Sequence, residues 1–201
     1  MIIFLQPHAE INLNNLNNNY SVIQNEVGKC KVMGVIKADA YGHGTVPIAK
    51  SLSKTAIYGF CVALINEIIE LREHGIIKPI LHLGKFPSKY LHIFDSNTLC
   101  TINSLDDINT IETYCIKTGL QISAHVKFDT GMGRMGFHYS DAENVLAKIK
   151  KIDGINLDGV YSHFSTAEEV NSTFMELQRS RFDKIIEIAK LIFQDLIYHI
   201  S

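Results

Sequence analysis

With 46% hydrophobic and 20% charged residues over 201 positions, the chain can bury a substantial core as one domain. A net charge of −2, the lack of a basic stripe and the scatter of single aromatics speak against a nucleic-acid partner, and no apolar stretch approaches membrane-spanning length. The opening MIIFLQPHAE has no basic n-region and no small-residue cleavage site, so the chain reads as soluble and cytoplasmic.

Taken in order, short apolar runs alternate with amphipathic stretches, the signal of βα units and a parallel sheet. The spacing of Leu16, Tyr20 and Ile23 predicts a helix over Leu13 to Val27, although its asparagines weaken it. Strands are expected at Val32 to Ile36, Tyr58 to Val62, Ile80 to Leu83, Leu99 to Ile102, Ala124 to Phe128, Gly159 to His163 and Leu196 to Ile200. Between them, Ser104 with Asp107 and Ser140 with Glu143 have capping-box spacing, and Gly75 and Gly119 stand where left-handed C-caps end helices. From Ser172 to Phe193, residues Phe174, Leu177, Phe182, Ile185, Ile186 and Ile192 recur on a helical period as a sheet-facing stripe. Cys30, Cys61, Cys100 and Cys115 have no CxxC or framework spacing and read as reduced, buried small hydrophobes. No repeat or linker divides residues 1–201.

The chemistry concentrates around VIKADAYGHG, Val35 to Gly44. The β-branched run ends on Lys37, and Gly42 and Gly44 permit a tight turn before a helical segment from Pro47. An amine held among apolar strands at a strand end is what Schiff-base formation with an aldehyde cofactor requires; the plain alternative is a surface lysine. Arg134, in the glycine-bracketed KFDTGMGRMG, has the planar guanidinium suited to bidentate capture of a carboxylate. His163 stands near a strand's C-terminal end, where functional residues of such folds collect, or is a satisfied core histidine. GMGRMG also fits the dinucleotide pattern, but its strand ends on charged Lys127 and Asp129 and no helix opens within the glycines, so that reading is rejected. The nine histidines show no HxH, HxxxH or HExxH spacing, and no metal site is expected.

VIKADAYGHG resembles the pyridoxal-phosphate lysine motif of the alanine racemases without a gap. PHAEINLNNLNNNY (Pro7 to Tyr20) is similar to that family's opening segment, VKFDTGMGRMG (Val126 to Gly136) to its substrate loop and GVYSHFSTA (Gly159 to Ala167) to its histidine strand, in the family's order. The resemblance implies a pyridoxal 5'-phosphate enzyme with Lys37 as cofactor lysine and catalytic base, and Tyr41 on the phosphate. It places Leu83 near the cofactor ring, Arg134 beside cofactor and substrate, Met132 at the substrate entrance and His163 in a supporting role. Lys127 matches a lysine that is often carbamylated. The implied activity is interconversion of L- and D-alanine for peptidoglycan, in a cytoplasmic homodimer with no nucleic acid or membrane partner.

The expected fold is an incomplete (β/α)8 barrel of about seven strands, since a complete one needs eight strands and roughly 250 residues. By the resemblance, LIYHIS begins a strand that leads to a phosphate-binding serine loop, with Ser201 just before that serine. The arginine facing the pyridine nitrogen, the eighth strand and a C-terminal β-domain with a tyrosine as second base are expected beyond it. The chain is thus expected to be an N-terminal fragment of doubtful activity. The alternatives are a racemase of another amino acid, such as serine, or a non-catalytic pyridoxal-phosphate-binding barrel.

Overall fold

A computed structural model describes residues 9–169 and 171–200; Pro7 and His8 of the opening motif, and Ser201, lie outside the described residues. The chain divides between Lys78 and Pro79 into two compact units.

In the first unit, α1 (Leu13–Val27) opens on Asn12, whose side chain accepts from the Asn14 and Asn15 amides and so satisfies N–H groups the helix cannot pair itself. Tyr20 is its buried residue, and Asn17 accepts from Ser51 on α3 (Thr45–Leu52). β1 (Met33–Val35) and β2 (Gly59–Val62) pair in parallel, Met33 opposite Gly59 and Val35 opposite Cys61. A side chain at Gly34 would meet Ile57 at 3.1 Å and Phe60 at 3.4 Å, so glycine is what lets these core residues close over β1. α4 (Ile65–Glu73) buries Ile65, Ile68 and Leu71. The chain leaves α4 through Gly75 at φ +79, the left-handed position predicted for it, and Arg72 locks that exit by donating to the carbonyls of Ile76 and Lys78.

The second unit is a parallel sheet in the order β3 (Ile80–His82), β4 (Thr98–Ile102), β5 (Ile122–Asp129), β7 (Ile155–Ser162), β8 (Ile197–Ile200), with the two-residue β6 (Phe137–His138) added beside the end of β5. All seven predicted strands are present; β6 is too short to leave an apolar run. Helices α5 (Leu105–Thr118), α6 (Ala142–Lys150) and α7 (Thr173–Ile192) intervene. Ser104 caps α5 by accepting from Asp107, and Gly119 closes it at φ +72 as predicted. Ser140 does not cap α6. It sits in a 3-10 turn, its hydroxyl engaged with His138 and Asp141, and Asp141 takes the N-cap position. Cys61, Cys100 and Cys115 are buried as expected, whereas Cys30 is exposed in the turn after α1.

Along β5 every residue from Ile122 to Phe128 is buried, yet the strand alternates: Ala124, Val126 and Phe128 on one face, Ser123, His125 and Lys127 on the other. The apolar face continues through Leu157 and Val160 of β7, beside Ala124 and Val126. Buried residues of α6 and α7, among them Leu146, Ile149, Phe182, Ile185 and Ala189, complete the apolar core. The stripe predicted on α7 is shifted. Phe174 and Leu177 are exposed, and the inward positions are Gln178, Phe182, Ile185 and Ala189. Those four follow the 4-3-4 spacing of one helix face.

Candidate active site

β1 delivers Lys37 into α2 (Lys37–Gly42), a single turn of the left-handed hand. The φ values of Ala38, Asp39, Ala40 and Tyr41 are 51, 54, 50 and 56°, with ψ near its left-handed value throughout. Glycines were the expected source of positive φ here, and Gly42 and Gly44 have it, at +82 and +90°, but the turn itself is made by four residues with side chains. Each costs about 1–2 kcal/mol relative to the right-handed form, so the surroundings must impose the conformation. The Ala40 amide donates to the Ile36 carbonyl at 3.0 Å and the Gly44 amide to the Asp39 carbonyl at 2.9 Å. The Asp39 carboxylate accepts from the Thr45 amide at 2.8 Å, and His43 Nδ1 donates to the Ala40 carbonyl at 2.9 Å. Asp39 and His43 thus shape the turn. Glu67 of α4 adds a fifth tie, accepting the Ala38 amide at 2.6 Å. As a result the Lys37 amine stands 6.0 Å from the centre of the Tyr41 ring, with Tyr41 60% exposed and Lys37 half-buried. Among the described residues no carboxylate lies within ion-pair distance of that amine.

In the second unit the polar face of β5 meets that of its neighbours. Lys127, 7% exposed, holds its amine 5.4 Å from the Tyr161 ring centre, and the Tyr161 hydroxyl bonds with Thr101 at 3.1 Å. His199 stacks on Tyr161, the centroids 4.7 Å apart and the planes 7° from parallel, and its Nε2 bonds His125 Nδ1 at 2.9 Å. Beyond β5 the chain enters the loop holding Met132 and Arg134. Asp129 organises it: burial alone would raise its pKa, but N–H groups of Gly131, Met132, Gly133 and Arg134 outweigh that and hold the carboxyl below its ordinary value. Arg134 itself is exposed and Met132 half-buried. The loop returns beside its own strand at Gly136, where a Cβ would lie 2.9 Å from the Lys127 carbonyl and 3.1 Å from Lys127 Cγ.

His163 directly follows β7, and Leu83 directly follows β3, both half-buried. What ties His163 to the Arg134 loop is a residue the sequence reading left out. Gln178, wholly buried on α7, donates to the His163 carbonyl at 3.1 Å and to Thr130 Oγ1 at 3.4 Å, and accepts from the amide and hydroxyl of Ser165, both at 3.0 Å. Thr130 and Ser162 bond through their hydroxyls at 2.8 Å, and Arg181 donates to the Thr130 carbonyl at 2.7 Å. The sequence signal was available: extending the apolar spacing of Phe182, Ile185 and Ala189 back by four residues lands on Gln178. Lys37 and Tyr41 are therefore one cluster, in the first unit, and Lys127, Met132, Arg134 and His163 belong to the second.

Residues 11–201 match the family described as alanine racemase, N-terminal domain. The chain belongs to this family. Alanine racemase 2 of Caldanaerobacter subterraneus subsp. tengcongensis is 36% identical over 182 residues, 89% of this chain and 47% of that protein. Alanine racemase of Streptococcus suis is 38% identical over 184 residues, 89% and 48%. The solved structure of the Clostridium difficile 630 alanine racemase in complex with cycloserine has a TM-score of 0.90 at 34% identity, over all of this chain and 56% of that one. A histidine racemase from Leuconostoc mesenteroides subsp. sake has a TM-score of 0.83 at 26% identity, covering 94% and 51%. The chain spans about half the length of the relatives it matches. Its seven parallel strands alternating with helices are the incomplete (β/α)8 barrel of this racemase domain.

Proposed function

We propose that this chain carries the cofactor-binding part of a pyridoxal 5'-phosphate-dependent amino-acid racemase, with alanine as substrate and D-alanine for the cell wall as product. The observation that carries the reading is the Lys37 amine, presented by a strained turn at a strand end beside an exposed phenol. These residues fit the group. The amine has no competing carboxylate among the described residues, and the exposed Tyr41 hydroxyl is available to donate to a phosphate. Bound pyridoxal phosphate supplies an electron sink for the charge left when an α-proton departs.

The chain's own residues then have separable tasks. Lys37 Nζ would hold the cofactor's aldehyde group, and the freed amine would take or return the α-proton on its own face. Tyr41 orients the phosphate. Arg134, on the loop organised by Asp129, offers its guanidinium to the substrate carboxylate, and Met132 lines the approach. Leu83 would give the cofactor ring an apolar neighbour and His163 would have a supporting role. Racemisation also needs a proton donor on the opposite face, which in this reading comes from a partner subunit of a cytoplasmic homodimer.

Borohydride reduction of the chain loaded with pyridoxal phosphate, followed by peptide mapping, tests the reading. Label is expected on Lys37 and is lost in Lys37→Ala; label spread evenly over surface lysines refutes it. A second substrate comes from a specific likeness, the histidine racemase of the same fold. Exchange of the α-proton of alanine against that of histidine in deuterated solvent separates the two, alanine being expected to exchange faster.

A further inference from the structure

We propose that Glu67 is a positioning residue for Lys37: one buried carboxylate holds both the start of α4 and the left-handed turn that presents the amine. The proposal rests on the reading of Lys37 as the cofactor lysine. Glu67 lies in the first turn of α4 and is 9% exposed. Its Oε2 accepts the amides of Ala63 and Leu64 at 2.8 and 2.9 Å, satisfying N–H groups just ahead of its own helix. That leaves Oε1 to reach across and accept the Ala38 amide at 2.6 Å, a bond between residues 29 apart in sequence. The two oxygens thus clamp together the loops that follow β1 and β2, the strand ends where such a fold places its chemistry.

The position of the bond matters more than its number. The Ala38 amide belongs to the peptide joining Lys37 to Ala38, so the carboxylate fixes the plane directly after the lysine. Ala38 is also the first of the four left-handed residues. The other ties, from Asp39, Ala40 and Gly44, lie within the segment or its immediate continuation. Glu67 alone among these ties reaches it from a part of the chain distant in sequence. A charged acceptor suits the task, because a bond to an ionised group is shorter and stronger than a neutral one.

Two variants separate positioning from simple support of α4. Glu67→Asp keeps a carboxylate at the helix start but shortens the stem by one methylene, enough to cap and too short to span to Ala38. Glu67→Gln keeps the length but sets an N–H donor against amides that need an acceptor. The measurements are borohydride labelling with pyridoxal phosphate, thermal unfolding, and hydrogen exchange of peptides covering 36–44 and 65–73. For Glu67→Asp we expect faster exchange in 36–44, unchanged protection in 65–73, a little-changed melting temperature, and Lys37 labelling down about tenfold, the equivalent of one charged hydrogen bond. Glu67→Gln should lose at least as much labelling. The inference is overturned if Glu67→Asp leaves exchange in 36–44 and Lys37 labelling unchanged, or if protection of both peptides and the melting temperature fall together. Absence of Lys37 label in the unaltered chain would instead remove the cofactor reading, and the exchange of 36–44 would still decide whether Glu67 holds the turn.

Discussion

Mild acid should destabilise this fold through two histidines that face each other on the polar side of the second unit. His125 is buried and His199 partly so, with Nδ1 of one 2.9 Å from Nε2 of the other. One N–H fits between them, so at least one ring must stay neutral to accept it, and the bond is lost once both are protonated. Burial, with the facing His199 ring adding to it, drives the His125 pKa down from 6.5 to about 3, and burial takes His199 to about 4. Gly159 allows the close fit: a Cβ there would lie 2.8 Å from His125 Cε1.

The sign follows from which state binds the proton first. Both folded values lie below the unfolded 6.5, so between them the unfolded chain is the more protonated one and stability rises with pH. It is fully present above about pH 6.5 and is lost progressively as pH falls toward the folded values. Each residue contributes up to about 1.4 kcal/mol per pH unit, or about 2 kcal/mol at pH 5. Water reaches His199 at the edge strand, so the pair together is worth about 2–4 kcal/mol, a large share of the roughly 5–15 kcal/mol typical of a domain. Urea unfolding followed by circular dichroism at pH 7 and pH 5 measures it. His199→Phe keeps a ring on Tyr161, removes one titration and should flatten the slope by about half, with all other groups cancelling in the comparison. Stability that is level from pH 7 to 5, or a slope untouched by His199→Phe, would refute the reasoning.

Two further substitutions read the second unit. Gln178→Ala removes the shared partner of the Ser165 amide, the His163 carbonyl and Thr130; it should cost about 3 kcal/mol in chemical unfolding and, under the role proposed for Arg134, weaken alanine binding measured by titration. Gly136→Ala places a Cβ 2.9 Å from the Lys127 carbonyl at φ +116; it should lower unfolding free energy by about 2 kcal/mol or more and displace the Lys127 backbone, visible as amide shifts of Lys127 and Asp129 in NMR spectra.

How much of this was legible in the sequence depends on the range of the interaction that decides it. Apolar runs and helix periods are local, and they located all seven strands and the long helices. Caps were legible where one side chain meets its own helix, as at Ser104 and Gly119, and failed at Ser140, whose hydroxyl is taken by His138 before α6 begins. The lysine motif was legible as a string, but its left-handed course was not, because four non-glycine residues adopt it under contacts from elsewhere in the unit. Glu67 could be seen only as an acid in the first turn of a helix; its bond to Ala38 spans 29 residues. Gln178 was hidden differently. A polar side chain on an apolar stripe reads as a boundary of the stripe, when burial with all its hydrogen-bonding groups engaged makes it a joint between two loops.

The polar face of the second unit depends on an irregularity that alternation alone does not reveal. On β5, Ser123, His125 and Lys127 share a face by simple period two, but β7 does not keep step. Ala124 pairs with Leu157 and His125 with Gly159, leaving Asp158 as an extra residue between them. Before this bulge the neighbour on the polar face is Asn156, which donates to Ser123; after it the neighbours are Gly159 and Tyr161. Because one residue of slip turns every side chain to the opposite face, the same β7 sequence paired regularly, with Asp158 opposite His125 and Val160 opposite Lys127, would turn Tyr161 toward the helices and Val160 toward the polar face. Tyr161 could then neither lie under the Lys127 amine, nor bond Thr101, nor stack on His199. The bulge also reconciles two demands on β7: Leu157 and Val160, three residues apart, both face the apolar core, while the end of the strand brings Tyr161 to the polar side and His163 just past the edge. A barrel interior is ordinarily filled with branched apolar side chains; here β5 lines its polar face with Ser123, His125 and Lys127, and the bulge keeps Tyr161 of β7 in that hydrogen-bonded row.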